Sequence, residues 1–225
     1  MNRGDVELLF TPEAVDVLAT LPPIESKANV VRNVSALRKR GLSAEMTSVV
    51  LLQQRLRTKA SSKFGEFAGR MFFTEDGLQQ STRLPVAARH AARFRDAGAH
   101  HVADLGCGIG GDALALAGLG IRVTAIDRDE VTAAIAAYNL APFDNADVVH
   151  GDAESTDLSP FDALWFDPAR RNSTKRLSNP ADWSPSLAWV FEVAERIPTG
   201  IKLSPAIDHA ILPADAECQW IDDHG

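Results

Sequence analysis

The apolar positions of this chain change rhythm near residue 62. Before it they recur at helical spacing, and Met46, Val49, Val50 and Leu56 form one such stripe. Thr11, with Pro12 behind it, marks the start of a helix over 12–20 that Pro22-Pro23 stops. A second helix is predicted over 25–39, ended at Gly41, and a third, capped by Ser43, over 44–59. The Ser61-Ser62 pair marks a boundary. Residues 1–62 therefore read as a small helical N-terminal domain and 63–225 as the main domain.

Beyond a helix over 84–97, the pattern becomes short apolar runs alternating with helical stretches. Strands are predicted at 102–105, 122–126, 146–150, 163–166 and 200–204, with a sixth allowed over 217–221. Helices over 112–119, 130–139 and 184–196 lie between them. This alternation predicts an α/β fold with a parallel sheet covered on both faces. Ligands in such sheets bind beyond the carboxyl ends of the strands, where the strand order reverses. Gly106, Asp127, Asp152 and Asp167 fall at the ends of the first four predicted strands.

The stretch HVADLGCGIGGD (101–112) carries the chemistry. It reads as a buried strand that breaks into a turn with Gly106, Gly108 and Gly110 at alternate positions, then opens a helix. Such a turn bends sharply and lets a ligand touch backbone, while the helix start presents free N–H groups. Gly106, Gly108 and Gly111 also satisfy the dinucleotide spacing, which by itself is a weak signal. Asp127, about 20 residues past the first glycine, suits ribose hydroxyls. Asp104 separates the alternatives. A carboxylate two residues before the turn suits a ligand with an ammonium group better than an anionic pyrophosphate. S-adenosyl-L-methionine (SAM) has that ammonium, a sulfonium and no phosphate.

Four motifs stand in order: Asp104-Leu-Gly-Cys-Gly-Ile-Gly-Gly111, Val123-Thr-Ala-Ile-Asp127, His150-Gly-Asp152 and Trp165-Phe-Asp-Pro168. Over about residues 64–210 the chain resembles the class I SAM-dependent methyltransferases. Within them it looks most like the trimethylguanosine synthase group and bacterial relatives with a THUMP-like domain. The resemblance implies a Rossmann-like parallel sheet, with SAM held at Asp104, Gly106, Gly108, Gly110, Asp127, Asp152 and Ala153. The 63–82 lead-in passes near the cofactor in that family, which adds Thr82 as a contact. The class normally ends on an antiparallel hairpin strand, for which the sequence to Gly225 holds no candidate. The chain is expected to be a fragment or to close its sheet differently.

Methyl transfer from a sulfonium chiefly requires the nucleophile to be desolvated and aligned. Asp167 and Pro168 are the candidate catalytic pair: Pro168 biases Asp167 toward extended backbone, turning its carbonyl and carboxylate to the site. Relatives that methylate exocyclic amines follow this position with Pro-Pro and an aromatic residue. Here Ala169 and Arg170 stand instead, which weakens the case for an amine acceptor. Arg170 and Arg171 are candidates for holding a substrate phosphate, or for pairing with Asp167 or Asp162. Phe64, Phe67, Phe72 and Phe73 are expected mostly to close the sheet's edge, with some left to stack on a flat substrate ring.

Composition adds an asymmetry. The 225 residues are 45% apolar and 24% charged, as in a soluble globular protein, with a net charge of −7. From 27 to 63, nine basic residues stand against one acid, a local +8 that leaves −15 elsewhere. A basic block on an acidic body fits a polyanion, and RNA is the expected partner through this segment; a solvated surface pairing with the acidic body is the alternative. Two cysteines and scattered histidines give no metal site. The absence of a signal-like start or an 18-residue apolar span predicts a cytoplasmic protein. The leading expectation is thus a methyltransferase acting on a nucleic-acid base. The alternatives are a small-molecule or protein acceptor, and a non-catalytic SAM- or RNA-binding module.

Overall fold

Four of the five strands fall where the apolar runs place them. In the computed structural model, which describes residues 1–24, 26–168 and 183–222, they are β1 (His101–Leu105), β2 (Arg122–Asp127), β3 (Ala146–His150) and β4 (Ala163–Phe166). β5 is shorter than expected, Thr199–Ile201. All pairings are parallel, in the order β3-β2-β1-β4-β5. Asp104 sits opposite Ala125 on β2 and Trp165 on β4, so the chain reverses its strand order beside it.

Both sheet faces are covered, which is why the central strands are continuous apolar runs. On one face Leu105, Leu164 and Phe166 pack with Val190 and Val193 of α9 (Leu187–Ala194). On the other, Val102, Val123 and Trp165 join α7 (Gly111–Gly118) and α8 (Glu130–Leu140). That second core does not stop at the sheet. It continues through Val6, Leu9, Val50 and Leu56, so the N-terminal helices form a further layer over α7 and α8.

The N-terminal helices follow their caps. α2 (Pro12–Thr20) starts where the Thr11 hydroxyl accepts from Ala14 N, and α3 (Lys27–Lys39) is capped by Ser26. α4 (Ala44–Phe64), capped by Ser43, runs through Ser61 and Ser62, whose hydroxyls bond carbonyls of their own helix. The helix ends instead at Gly65, which has φ +55°. A first helix, α1 (Arg3–Leu9), was not visible in the apolar pattern; an Asn2–Asp5 capping box starts it. α5 (Glu75–Gln80) follows the phenylalanine-rich lead-in, and α6 (Leu84–Asp96) precedes β1. Residues 217–221 form no strand. Glu217 and Gln219 bond Arg93 on α6, and the segment joins no ladder. No helix among the described residues is long and apolar enough to cross a membrane.

Candidate active site

A cavity of about 850 Å³ opens at the carboxyl ends of the strands, within the size range of small-molecule sites. The glycine turn forms one wall. Gly106 and Gly108 line it with φ of +89° and +56°, backbone that L side chains rarely adopt. Gly110 is left-handed too, but it does not reach the wall. It caps α7, and a Cβ there would meet Leu140.

Asp127 ties this turn to β2. Its Oδ2 accepts the Gly108 N–H and its Oδ1 the Asp129 N–H, both at 2.9 Å. Burial pushes its carboxyl above the usual range. Each oxygen keeps a further lone pair for a hydroxyl donor. Asp152, at the end of β3, lines the same wall and caps a short 3-10 turn (Ala153–Ser155) by accepting from Glu154 N. Ala153 lies beside it, nearly buried.

Asp104 is the unusual group. It is 1% exposed, and its Oδ2 has no hydrogen-bond partner among the described residues. Burial, then the neighbouring charges of Asp112 and Asp167, push its carboxyl well above the usual range, against a hydrogen bond from the Ala113 N–H. An unpartnered buried carboxylate oxygen costs free energy unless a ligand satisfies it. A cation-bearing ligand in the cavity fits this group, and a diphosphate does not.

The opposite wall holds the remaining candidates. Asp167 and Pro168 line the cavity past β4, and Thr82 enters from the lead-in. Thr82 donates to Asp112 Oδ2 at 2.6 Å, and His90 Nδ1 lies 3.4 Å from Asp112 Oδ1. Lys202, just beyond β5, donates to Thr82 Oγ1 at 2.8 Å and to Asp167 Oδ2 at 2.5 Å. Lys202, Asp112 and His90 had no sequence signal, because their partners are 22 to 120 residues away. Arg170 and Arg171 lie outside the described residues. Among the described residues no group of three His, Cys, Asp or Glu side chains is placed to hold a metal. Burial pushes the Cys107 thiol up, which fits packing in the turn.

The helical layer reaches the site through α5. A Cβ on Gly77 would stand 2.4 Å from the Ile109 side chain, so only glycine lets α5 lie this close to the turn. Lys63 secures the far end of α5 by donating to the carbonyls of Leu78, Gln79 and Ser81. The basic segment is more divided than its charge suggests. Arg57 is buried with Nε on Met71 O, Arg55 pairs with Glu75, and Lys63 is spent on α5. Arg32, Arg38, Lys39, Arg40 and Lys59 remain exposed. Of the phenylalanines, Phe64, Phe72 and Phe73 are buried and Phe67 is half exposed.

Comparison with known proteins points to methyltransferases. Residues 102–177 match the methyltransferase domain family, and residues 2–60 match a domain family of unknown function. The chain is 32% identical over 164 residues to a Mycobacterium tuberculosis protein described as an uncharacterized S-adenosylmethionine-dependent methyltransferase, in strains H37Rv and CDC 1551 alike. The match covers 68% of this chain, and the chain spans 43% of the length of those relatives. A solved structure from Porphyromonas gingivalis W83, assigned as a methyltransferase, superposes with a TM-score of 0.57 at 20% identity. It covers 81% of this chain and 50% of that one. The fold is therefore the Rossmann-like fold of methyltransferases.

Proposed function

We propose that this protein is an S-adenosylmethionine-dependent methyltransferase. The observation that carries the reading is Asp104, a buried carboxylate with an unpartnered oxygen beside a glycine turn. SAM supplies a sulfonium-activated methyl group and an ammonium. Asp104 would hold the ammonium, Asp127 the ribose hydroxyls, and Asp152 with the Ala153 backbone the adenine. The methyltransferase assignment of the Mycobacterium tuberculosis relatives supports the same reading.

Asp167 is the group that would meet the acceptor. Its ion pair with Lys202 fixes the carboxyl group in place, where it would orient an N–H or O–H by accepting its hydrogen bond. Pro168 continues the wall beside it. The catalytic demand is alignment and exclusion of water. Isothermal titration with SAM tests the reading. Saturable binding that Asp104→Asn weakens about tenfold or more supports it. No binding at millimolar ligand refutes it.

The acceptor is proposed to be a base in RNA. The exposed cations at the end of α3, Arg38, Lys39 and Arg40, support this, as does the motif resemblance to the trimethylguanosine synthase group. A second reading, a small-molecule or protein acceptor, is favoured by the acidic mouth of the cavity, where Glu75, Asp76 and Asp129 stand. Tritiated-methyl transfer to total RNA from cells lacking the protein separates the two. RNA labelling that falls steeply with salt, and further on Arg38, Lys39 and Arg40 reversal to Glu, supports the RNA reading.

A further inference from the structure

Lys202 has a more specific task than balancing Asp167. Its backbone N–H donates to Phe166 O at 2.8 Å, which fixes it beside the end of β4. Its side chain lines the cavity and is about one quarter exposed. Two of the three ammonium N–H groups go to Asp167 and Thr82. The third has no partner among the described residues. Lys202 and Arg128 are the lysine and arginine side chains that line the cavity among those residues, and Arg128 follows β2, on the Asp127 side.

The wall therefore carries one acidic and one basic group, each with a hydrogen-bonding position left open by the described residues. At β1 it is the orphaned oxygen of Asp104; at β5 it is the third N–H of Lys202. Both stand by the same two groups: Asp104 feels the charges of Asp112 and Asp167, and Lys202 touches Asp167 directly and Asp112 through Thr82. An acidic oxygen without a partner and an ammonium with an open N–H suit the two ends of a zwitterion, its ammonium on the first and its carboxylate on the second. An α-amino acid is such a group.

The sheet order gives the direction. Across β3, β2 and β1 the rim offers Asp152, Asp127 and Asp104, and the far side continues to β4 and β5. A nucleoside laid along that row with its base at β3 brings its amino-acid tail to β1 and beyond. We propose that Lys202 holds the α-carboxylate of the cofactor's amino-acid tail, opposite the ammonium held by Asp104. The inference rests on the methyltransferase reading and adds a residue to it. Thr82 and Asp167 act as the frame: they hold the lysine in place before ligand arrives, so little side-chain freedom is lost on binding.

Two ligands and two variants test this by calorimetry. S-adenosylhomocysteine has the zwitterion; its decarboxylated analogue keeps the ammonium and loses the carboxylate. Wild-type protein is expected to prefer the first about tenfold or more, as for a charged hydrogen bond. In Lys202→Met the preference should fall below about threefold, and Lys202→Arg should keep most of it, by the logic of a double-mutant cycle. No preference in the wild type, or an unchanged preference in Lys202→Met, overturns the proposal. If Lys202→Met binds neither compound, the wild-type and Lys202→Arg ratios decide: the preference must persist in both or the proposal falls. Failure of the wild type to bind either compound sinks the methyltransferase reading itself, whereas loss of preference alone sinks only the role of Lys202.

Discussion

The join between the helical layer and the sheet treats its buried polar groups in the opposite way from the rim of the sheet. At the join the Gln53 and Asn139 amides are closed. Gln53, fully buried, accepts from Phe73 N and donates to Phe73 O. Asn139 does the same for Phe72 and gives its other N–H to Ile109 O. Arg57 reaches Met71 O and lies over the Phe72 ring. The extended segment 71–73 thus has backbone groups bonded by side chains of α4 and α8 in place of a sheet ladder. At the rim, by contrast, Asp104 is equally buried and one oxygen has no partner among the described residues. Closed groups hold the fold together, while on the proposed function the unpartnered one would be satisfied by the ligand.

That contrast breaks most visibly at Asn139. Asn139→Ala removes three hydrogen bonds, those to the Phe72 N–H, the Phe72 carbonyl and the Ile109 carbonyl. A loss of about 2–4 kcal/mol is expected from urea unfolding. Asp104→Asn should act with the opposite sign in ligand-free protein. The unfolded carboxyl ionises near its ordinary value of 3.8, while the folded one holds its proton to well above that. Over that window the folded state binds the extra proton, so stability falls as pH rises through it. The amide cannot ionise. Asp104→Asn should therefore flatten this decline above pH 4, leaving a shallower one from Asp127, which is shifted the same way. It should also cost tenfold or more in S-adenosylhomocysteine affinity. Thermal melts across pH with and without that ligand read both effects, and a variant as pH-sensitive as wild type would contradict the assignment.

The glycine turn tests the boundary between the two regions. Gly110→Ala forces an alanine to φ +83° with its Cβ 3.3 Å from Leu140. About 1–2 kcal/mol of stability should be lost. Because Gly110 stands off the cavity wall, the folded fraction should bind S-adenosylhomocysteine within about threefold of wild type. A selective binding loss in a fully folded variant would place Gly110 at the ligand after all.

What the sequence revealed follows from how local each signal is. The turn from Gly106 to Gly110 and the acids at the strand ends are contiguous patterns, and they fall where the alternation of strands and helices puts them. α1 escaped because seven residues carry too little periodicity; its capping box and its packing on α4 and α8 hold it. The third helix runs to Phe64, past its expected end at residue 59, and the Ser61 and Ser62 hydroxyls are satisfied inside it. Lys202 and His90 were illegible for a different reason. Nothing near either residue announces a role, and only the parallel sheet brings Lys202 to Thr82 and Asp167. The basic run from 27 to 63 shows the reverse limit: a count of charges cannot tell Arg57, turned into the core, from Arg38, left in water.

Arg55 and Arg57 sharpen that last point within one helix. They are two residues apart on α4, so they point to different faces. Arg55 meets Glu75 at 2.7 Å with both side chains about half exposed or more. Water screens the pair, and holding two long side chains together costs entropy, so exposed ion pairs contribute little. Arg55→Gln should shift stability by less than about 0.5 kcal/mol, and by less still at high salt. Glu75 opens α5, which walls the cavity, so the same variant also asks whether this surface contact steadies the site. If α5 is held by Lys63 and by the Gly77–Ile109 approach, S-adenosylhomocysteine affinity should change less than twofold. A larger loss, rescued by Arg55→Lys, would show that the surface pair belongs to the site and that the division between closed join and open rim is drawn too sharply at α5.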